Sequence, residues 1–180
     1  MPTNVHSSSN IARERVHGDI IRAIDLLYEW EFYHAEEIFR RIIKENPDDP
    51  IGYFYLSMVT WSQLASGFWF PDVVEEYLDR IEQTISIAKK KIQLNEADSN
   101  TYLFLGGALG YKGRLQLMQH KWLSSYFLAV EAIEALNTCL ELDPNNKDVL
   151  LGLGIYDYYT DQLSGILRIL SFFYFIVEIK

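Results

Sequence analysis

Residues 37–59 read EIFRRIIKENPDDPIGYFYLSMV, and this stretch decides the fold. Its first half is the body of an amphipathic helix. From His34 to Glu45, Ala35, Ile38, Phe39, Ile42 and Ile43 fall at i, i+3, i+4, i+7 and i+8, a single apolar stripe, with Glu36, Glu37, Arg40, Arg41 and Lys44 opposite. Asn46-Pro47 stops the helix, because proline denies the ladder its next backbone donor. A second helix starts near Pro50 and carries Tyr53, Phe54, Leu56 and Trp61. The unit is helix, proline turn, helix.

The unit returns twice. Residues 134–156, EALNTCLELDPNNKDVLLGLGIY, align with it directly, and residues 88–110, AKKKIQLNEADSNTYLFLGGALG, align with Glu96 in the place of Pro47 and Pro144. From Pro47 to Glu96 is 49 residues and from Glu96 to Pro144 is 48, so the three turns share one period. A preceding helix, about Ile11 to Trp30, offers Ile20, Ile24 and Leu27. After a break marked by Gly67 and Pro71, Val74, Tyr77, Leu78, Ile81, Ile85, Ala88 and Ile92 trace a long helix. It ends in Lys89, Lys90 and Lys91, where cations suit the helix dipole. Asp98 or Ser99 can cap a helix from Tyr102 to about Leu109 or beyond. Trp122, Tyr126, Ala129, Ile133, Leu136 and Leu140 mark another. The turn at Asp143-Pro144-Asn145-Asn146 leads to a last pair, Val149 to Thr160 and Leu163 to Val177. The expectation is an all-α chain: a flexible polar head over 1–10, helical repeats of about 48 residues over 11–160, and an apolar helix over 161–180 that begins a further, truncated repeat.

These residues resemble the tetratricopeptide repeat family, whose unit is a pair of antiparallel helices with small residues where they cross and a proline closing the second. Ala35, Phe39, Ile42 and Pro47 fill the second-helix slots of one unit, and Ala132, Leu136, Cys139 and Pro144 those of another. Ala23, Ser57, Gly106 and Gly154 take the small first-helix slots, with Tyr53 and Tyr102 at the early aromatic position. The match covers about residues 16 to 160. It departs from the family in lacking the early tryptophan, in Glu96, and in a period longer than 34. The excess fits longer loops or helix extensions at Gly67 to Asp72 and Gln116 to Ser125. The flank GLGIYDYYTDQLSGILRILSFF is also similar to a group of divergent bacterial proteins of this type. The resemblance implies a right-handed superhelical array of antiparallel helix pairs, an α-solenoid.

Composition narrows the function. The 180 residues carry a formal charge of -9 and are 49% hydrophobic, which fits a folded domain and disfavours an electrostatic nucleic-acid surface. Cys139 alone makes neither a disulfide nor a zinc site. His6, His17, His34 and His120 show no metal spacing, and His34 with Glu37 reads as an exposed helical pair. Asp143, Asn145 and Asp148 lack the glycine and closing glutamate of a calcium loop. Gly106, Gly107, Gly110, Gly113 and Lys112 contain no phosphate-loop string, and close helix packing explains the glycines. Ser7, Ser8, Ser9, Ser124 and Ser125 have no base and orienting group implied beside them. No catalytic residue, metal or cofactor is therefore expected, and the chain reads as a non-enzyme.

What remains is a binding surface. Positions that line the concave groove in the resembled family fall on Ile20, Ile24 and Tyr28; Phe54, Met58 and Trp61; Leu103, Gly107 and Tyr111; and Leu151, Ile155, Tyr158 and Tyr159. Of these, Tyr28, Phe54, Met58, Trp61, Tyr111, Tyr158 and Tyr159 are the expected contacts for a protein or peptide partner, apolar or proline-rich rather than a chaperone-type carboxylate tail. The competing reading is that the same aromatics are simply core. Residues 163–177, LSGILRILSFFYFIV, are almost wholly apolar, where an array needs a polar cap. They point to a missing neighbour, to a homo-oligomer through that helix or, as an alternative function, to a peripheral membrane or envelope component docking there. About 15 apolar residues around an arginine fall short of the roughly 20 that a span needs. Met1 to Ser9 shows no secretory signal, so the default compartment is the cytoplasm, or the envelope if a leader has been removed.

Overall fold

The computed structural model describes residues 5–154, with side chains from residue 14 onward. Six helices follow one another: α1 Val5–Tyr28, α2 Phe32–Glu45, α3 Pro50–Ala65, α4 Pro71–Gln93, α5 Ser99–Met118 and α6 Trp122–Leu142, with a further helical stretch over 148–154. All regular structure among the described residues is helical. α1 begins at Val5, so residues 5–10, expected as a flexible head, stand in its first turns. Their serines and asparagine include no glycine or proline to stop a helix. Of the two expected loops or helix extensions, 116–125 is mostly helix, with only residues 119–121 separating α5 from α6, and a true loop over 66–70 separates α3 from α4. The apolar helix expected over 161–180 lies outside the described residues.

Each start has a local cause. Pro50 stands at the first turn of α3 behind Asp49, whose carboxylate accepts from the Ile51 N–H at 3.0 Å. Asp98 caps α5 through a reciprocal box: its carboxylate accepts from the Thr101 N–H at 2.9 Å, while its own N–H donates to Thr101 Oγ1 at 3.3 Å. The ends are more uniform than the sequence implied. At α1, α3, α4 and α5 a left-handed residue follows the cap: Trp30 (φ 67°), Gly67 (φ 98°), Asn95 (φ 58°) and His120 (φ 61°). Each sits in a Schellman pair of bonds. In α1, Glu31 N–H reaches Leu26 O at 2.9 Å and Trp30 N–H reaches Leu27 O at 3.2 Å; Lys121 to Gln116 and His120 to Leu117 repeat the pattern in α5. Only Gly67 was legible as such a stop.

Packing follows chain order. Every helix lies against its neighbour in sequence, and in addition α1 touches α3 and α3 touches α5, whereas α2, α4 and α6 make no backbone approach to one another. The first helices of the pairs therefore form one close layer and the second helices another. Side chains bridge the second layer. Arg80 of α4, only 5% exposed, donates to Glu36 of α2 at 2.9 Å, to Leu56 O of α3 at 3.3 Å and to Glu76, and Lys90 reaches Asp48 at 2.9 Å. Glu36, expected on the solvent side of α2, is thus half-buried as an ionic tie. The core runs through the array in three abutting clusters. Ile20, Phe39, Ile42 and Val59 join α1 to α3; Leu64, Tyr77, Ile81, Leu105 and Leu109 join α3 to α6; Leu136, Cys139 and Val149 join α6 to the stretch after it.

The crossings are built on small residues. Ala23, Ala35, Ser57, Thr84, Ala88 and Ala132 are all buried. At Gly106 a Cβ would stand 2.7 Å from Leu136 Cγ and 3.0 Å from the Ala132 carbonyl oxygen, so α5 and α6 meet where only hydrogen fits. Ser125 Oγ donates to Gly113 O at 2.9 Å along the same seam.

Two predictions follow from these contacts. Gly106→Ala lowers stability in urea unfolding by about 1–2 kcal/mol because backbone must move, whereas Gly110→Ala, where a Cβ meets nothing within 4 Å, raises it by about 0.5–1 kcal/mol through helix propensity. The second concerns acid. Burial pushes the Glu36 carboxyl up, but Arg40 and Arg80 outweigh it and hold its pKa below the ordinary 4.5. A lowered folded pKa stabilises fully above the unfolded value and is lost as pH falls through the folded one. Arg80→Met therefore costs about 2–3 kcal/mol near neutrality and flattens the acid limb of the stability profile below about pH 4.5. Denaturation across pH measures both.

Candidate functional site

The first-helix layer gathers three of the expected contacts on two helices. Phe54 and Trp61 on α3 and Tyr111 on α5 are half-buried and touch ring to ring, Phe54–Tyr111 at 6.2 Å and Trp61–Tyr111 at 5.3 Å. Tyr28, at the end of α1, is 83% exposed and lies near enough to raise the Tyr111 pKa, behind burial as the main cause and against a lowering by Arg114. Gly107 leaves room for this cluster, since a Cβ there would stand 3.0 Å from the Phe54 ring. Below, Phe54 meets Phe104 at 5.4 Å and Trp61 meets Tyr77 at 5.4 Å. The patch is continuous with the core: inner edges pack and outer edges face solvent.

Other expected contacts fall elsewhere. Met58 is buried in the central cluster. α3 has α1, α2, α4 and α5 around it and keeps only a narrow half-exposed strip, which Phe54 and Trp61 occupy. Ile20 is likewise core, Ile24 and Leu103 are half-buried, and Leu151 is exposed. Ile155, Tyr158 and Tyr159 lie outside the described residues, as does the apolar stretch 163–177.

Two members of the patch were missed. Arg114 lies over the Trp61 ring at 5.2 Å, a cation–π contact at the rim. Its place three residues after Tyr111 on α5 was the available signal. The other is the Tyr77 hydroxyl, fully buried with no hydrogen-bond partner among the described residues. Burial pushes its pKa far up; Tyr111 adds to this and Arg114 opposes it. It lies beneath Trp61, next to the two polar groups of the rim.

Elsewhere the chemistry is sparse. A cleft of about 480 Å3 lies between α2, α3 and α4, lined by Arg40, Leu56, Asp72, Glu75, Glu76, Asp79, Arg80 and Gln83. Within it Arg80 pairs with Glu76, and it also holds Glu36 of α2. His34 pairs through Nδ1 at 3.0 Å with Glu31, which stands just before the first residue of α2 and three residues before His34, instead of with Glu37. Cys139 is buried, and burial raises its thiol pKa, with Asp143 and Asp98 adding, so it stays protonated and inert. Among the described residues no three His, Cys, Asp or Glu side chains gather to hold a metal ion, and no helix is long and apolar enough to cross a membrane.

Tyr77 provides a direct check on the patch. An unpartnered buried hydroxyl costs stability, so Tyr77→Phe raises the unfolding free energy by about 1 kcal/mol in urea denaturation. An unchanged or lowered value would mean that the hydroxyl has a structural partner. No protein-family model and no curated protein matches the chain, so the reading of this patch rests on its geometry.

Proposed function

We propose that the chain is a non-catalytic interaction scaffold of tetratricopeptide type, a right-handed superhelical array whose first helices line an aromatic groove for a protein or peptide partner. The observation that carries this reading is the meeting of Phe54 and Trp61 of α3 with Tyr111 of α5 on one half-exposed strip of the first-helix layer. Three further features support it. The first helices approach one another while the second helices do not, which is the wedge that curves an array toward its first-helix side. Small buried residues at Ala23, Ser57 and Gly106 recur at equivalent places of the three pairs. Lys and Arg are sparse on the groove, Arg114 being held against Trp61, which favours apolar side chains over carboxylate tails as ligand. A chain with one buried, protonated thiol and no disulfide suits the cytoplasm.

The test is a peptide panel read by anisotropy: proline-rich extended peptides, amphipathic helices and acidic C-terminal tails, against the wild-type chain and a Trp61→Ala/Tyr111→Ala variant with an unchanged circular dichroism spectrum. Members of the first two classes bind, and the variant weakens them at least about thirtyfold, as the loss of two aromatic anchors implies. Binding of equal strength by the variant would overturn the site.

A further inference from the structure

The three loops inside the pairs lie at one end of the array. Short connections make each helix antiparallel to the next, and Trp30 and Phe32 of the first loop touch Phe68 of the second at 6.1 and 6.4 Å. That end is aromatic in all three pairs. Trp30 stands in the first loop, Trp69 and Phe70 in the second, Trp122 and Leu123 after the third, and every one is exposed among the described residues. Three of the four tryptophans of the chain are here. The loops at the opposite end, 46–49, 94–98 and 143–147, hold no aromatic residue and carry Asp48, Asp49, Glu96, Asp98 and Asp143 instead.

Trp30 adds an independent observation. It occupies the left-handed position after the α1 cap, at φ 67°, where a side chain with a Cβ is strained and glycine is preferred; the second pair does use glycine there. The strain is not offset by deep burial, since Trp30 is 60% exposed. A strained, solvent-facing tryptophan at a loop tip is a feature of a contact with something outside the chain.

We propose that this end is a membrane-docking edge that sets Trp30, Trp69, Phe70, Trp122 and Leu123 into the headgroup region of an uncharged, zwitterionic bilayer. Tryptophan rings favour that depth because the ring is apolar while its N–H still finds a partner. Side chains on three separate loop tips suit a flat, deformable surface; they do not enclose a hollow for a single peptide or helix. Charge selects the headgroup: the edge mixes Glu29, Glu31 and Asp72 with Lys121 and has no basic cluster, and the chain carries -9 overall, so an anionic surface repels it and a neutral one does not. Binding of this kind is apolar and survives salt. The proposal is independent of the groove, which lies on the first-helix layer.

The experiment is co-flotation of the full chain with phosphatidylcholine vesicles, with tryptophan emission recorded. The wild-type chain floats in low and high salt with a blue-shifted emission. Trp30→Gly/Trp69→Ser/Trp122→Ser, with an unchanged circular dichroism spectrum, partitions at least about tenfold more weakly, and Trp61→Ala/Tyr111→Ala partitions like wild type. Should the triple variant fail to fold, Trp30→Gly alone, which relaxes the strained residue, weakens partitioning by itself. No flotation of the wild type overturns the proposal. So does equal flotation of the folded triple variant, or binding confined to anionic vesicles and released by salt. A dimer that forms without vesicle binding and is lost in the triple variant also overturns it, and assigns the edge to self-association.

Discussion

The close approach of paired helices at small buried residues is the constraint on which the rest depends. Where Gly106 faces Leu136 and the Ala132 carbonyl, no side chain separates α5 from α6, and the larger residues on either side interlock. Ser57 and Thr84 bring hydroxyls into buried positions without cost because each donates within its own helix, Ser57 to Phe54 O at 2.6 Å and Thr84 to Arg80 O at 3.1 Å. Rigid pairs of this kind determine where their ends fall. The pair-internal loops share one end, the pair-to-pair loops the other, and the first helices share a layer.

Electrostatics work at the seams rather than at a site. Arg80 gathers Glu36, Glu76 and the Leu56 carbonyl, so α2 and α4, whose backbones do not meet, are joined across α3. The acidic cleft around it is the outer rim of this tie. The first-helix layer is held by ring contacts, with Arg114 lying against Trp61. The two layers thus differ in what joins them: ion pairs bridge the second helices, and aromatic packing bridges the first.

Legibility in the sequence followed the range of the interaction. The stripe of α2, the proline stops after α2 and α6 and the cap at Asp98 depend on residues a few positions apart, and all were readable. The left-handed stops at Trp30, Asn95 and His120 were not, because residue type there opposes the backbone and only Gly67 advertises it. Residues 116–125 left loop or helix extension open, and in the structure all but 119–121 are helical, since Met118 and Trp122 continue patterns that nothing interrupts. In the site, Phe54, Trp61 and Tyr111 were legible from helix position, whereas Arg114 and the Tyr77 hydroxyl were not: neither belongs to a repeat slot, and both matter only through a ring on another helix.

By itself the sequence determined that this chain is helical and where most of its helices start and stop. Each of those properties is set by bonds and stripes within one or two turns. Only the tertiary structure decided which aromatics are exposed. Met58 and Trp61 sit one turn apart on α3, yet one is core and the other rim, because exposure depends on where α4 and α5 pass. It likewise decided that Glu36 is an internal tie, that the Tyr77 hydroxyl lies without a hydrogen-bond partner beneath Trp61, and that three loops far apart in sequence share an aromatic end. Such properties belong to the distances between helices, and no periodicity along one helix contains them.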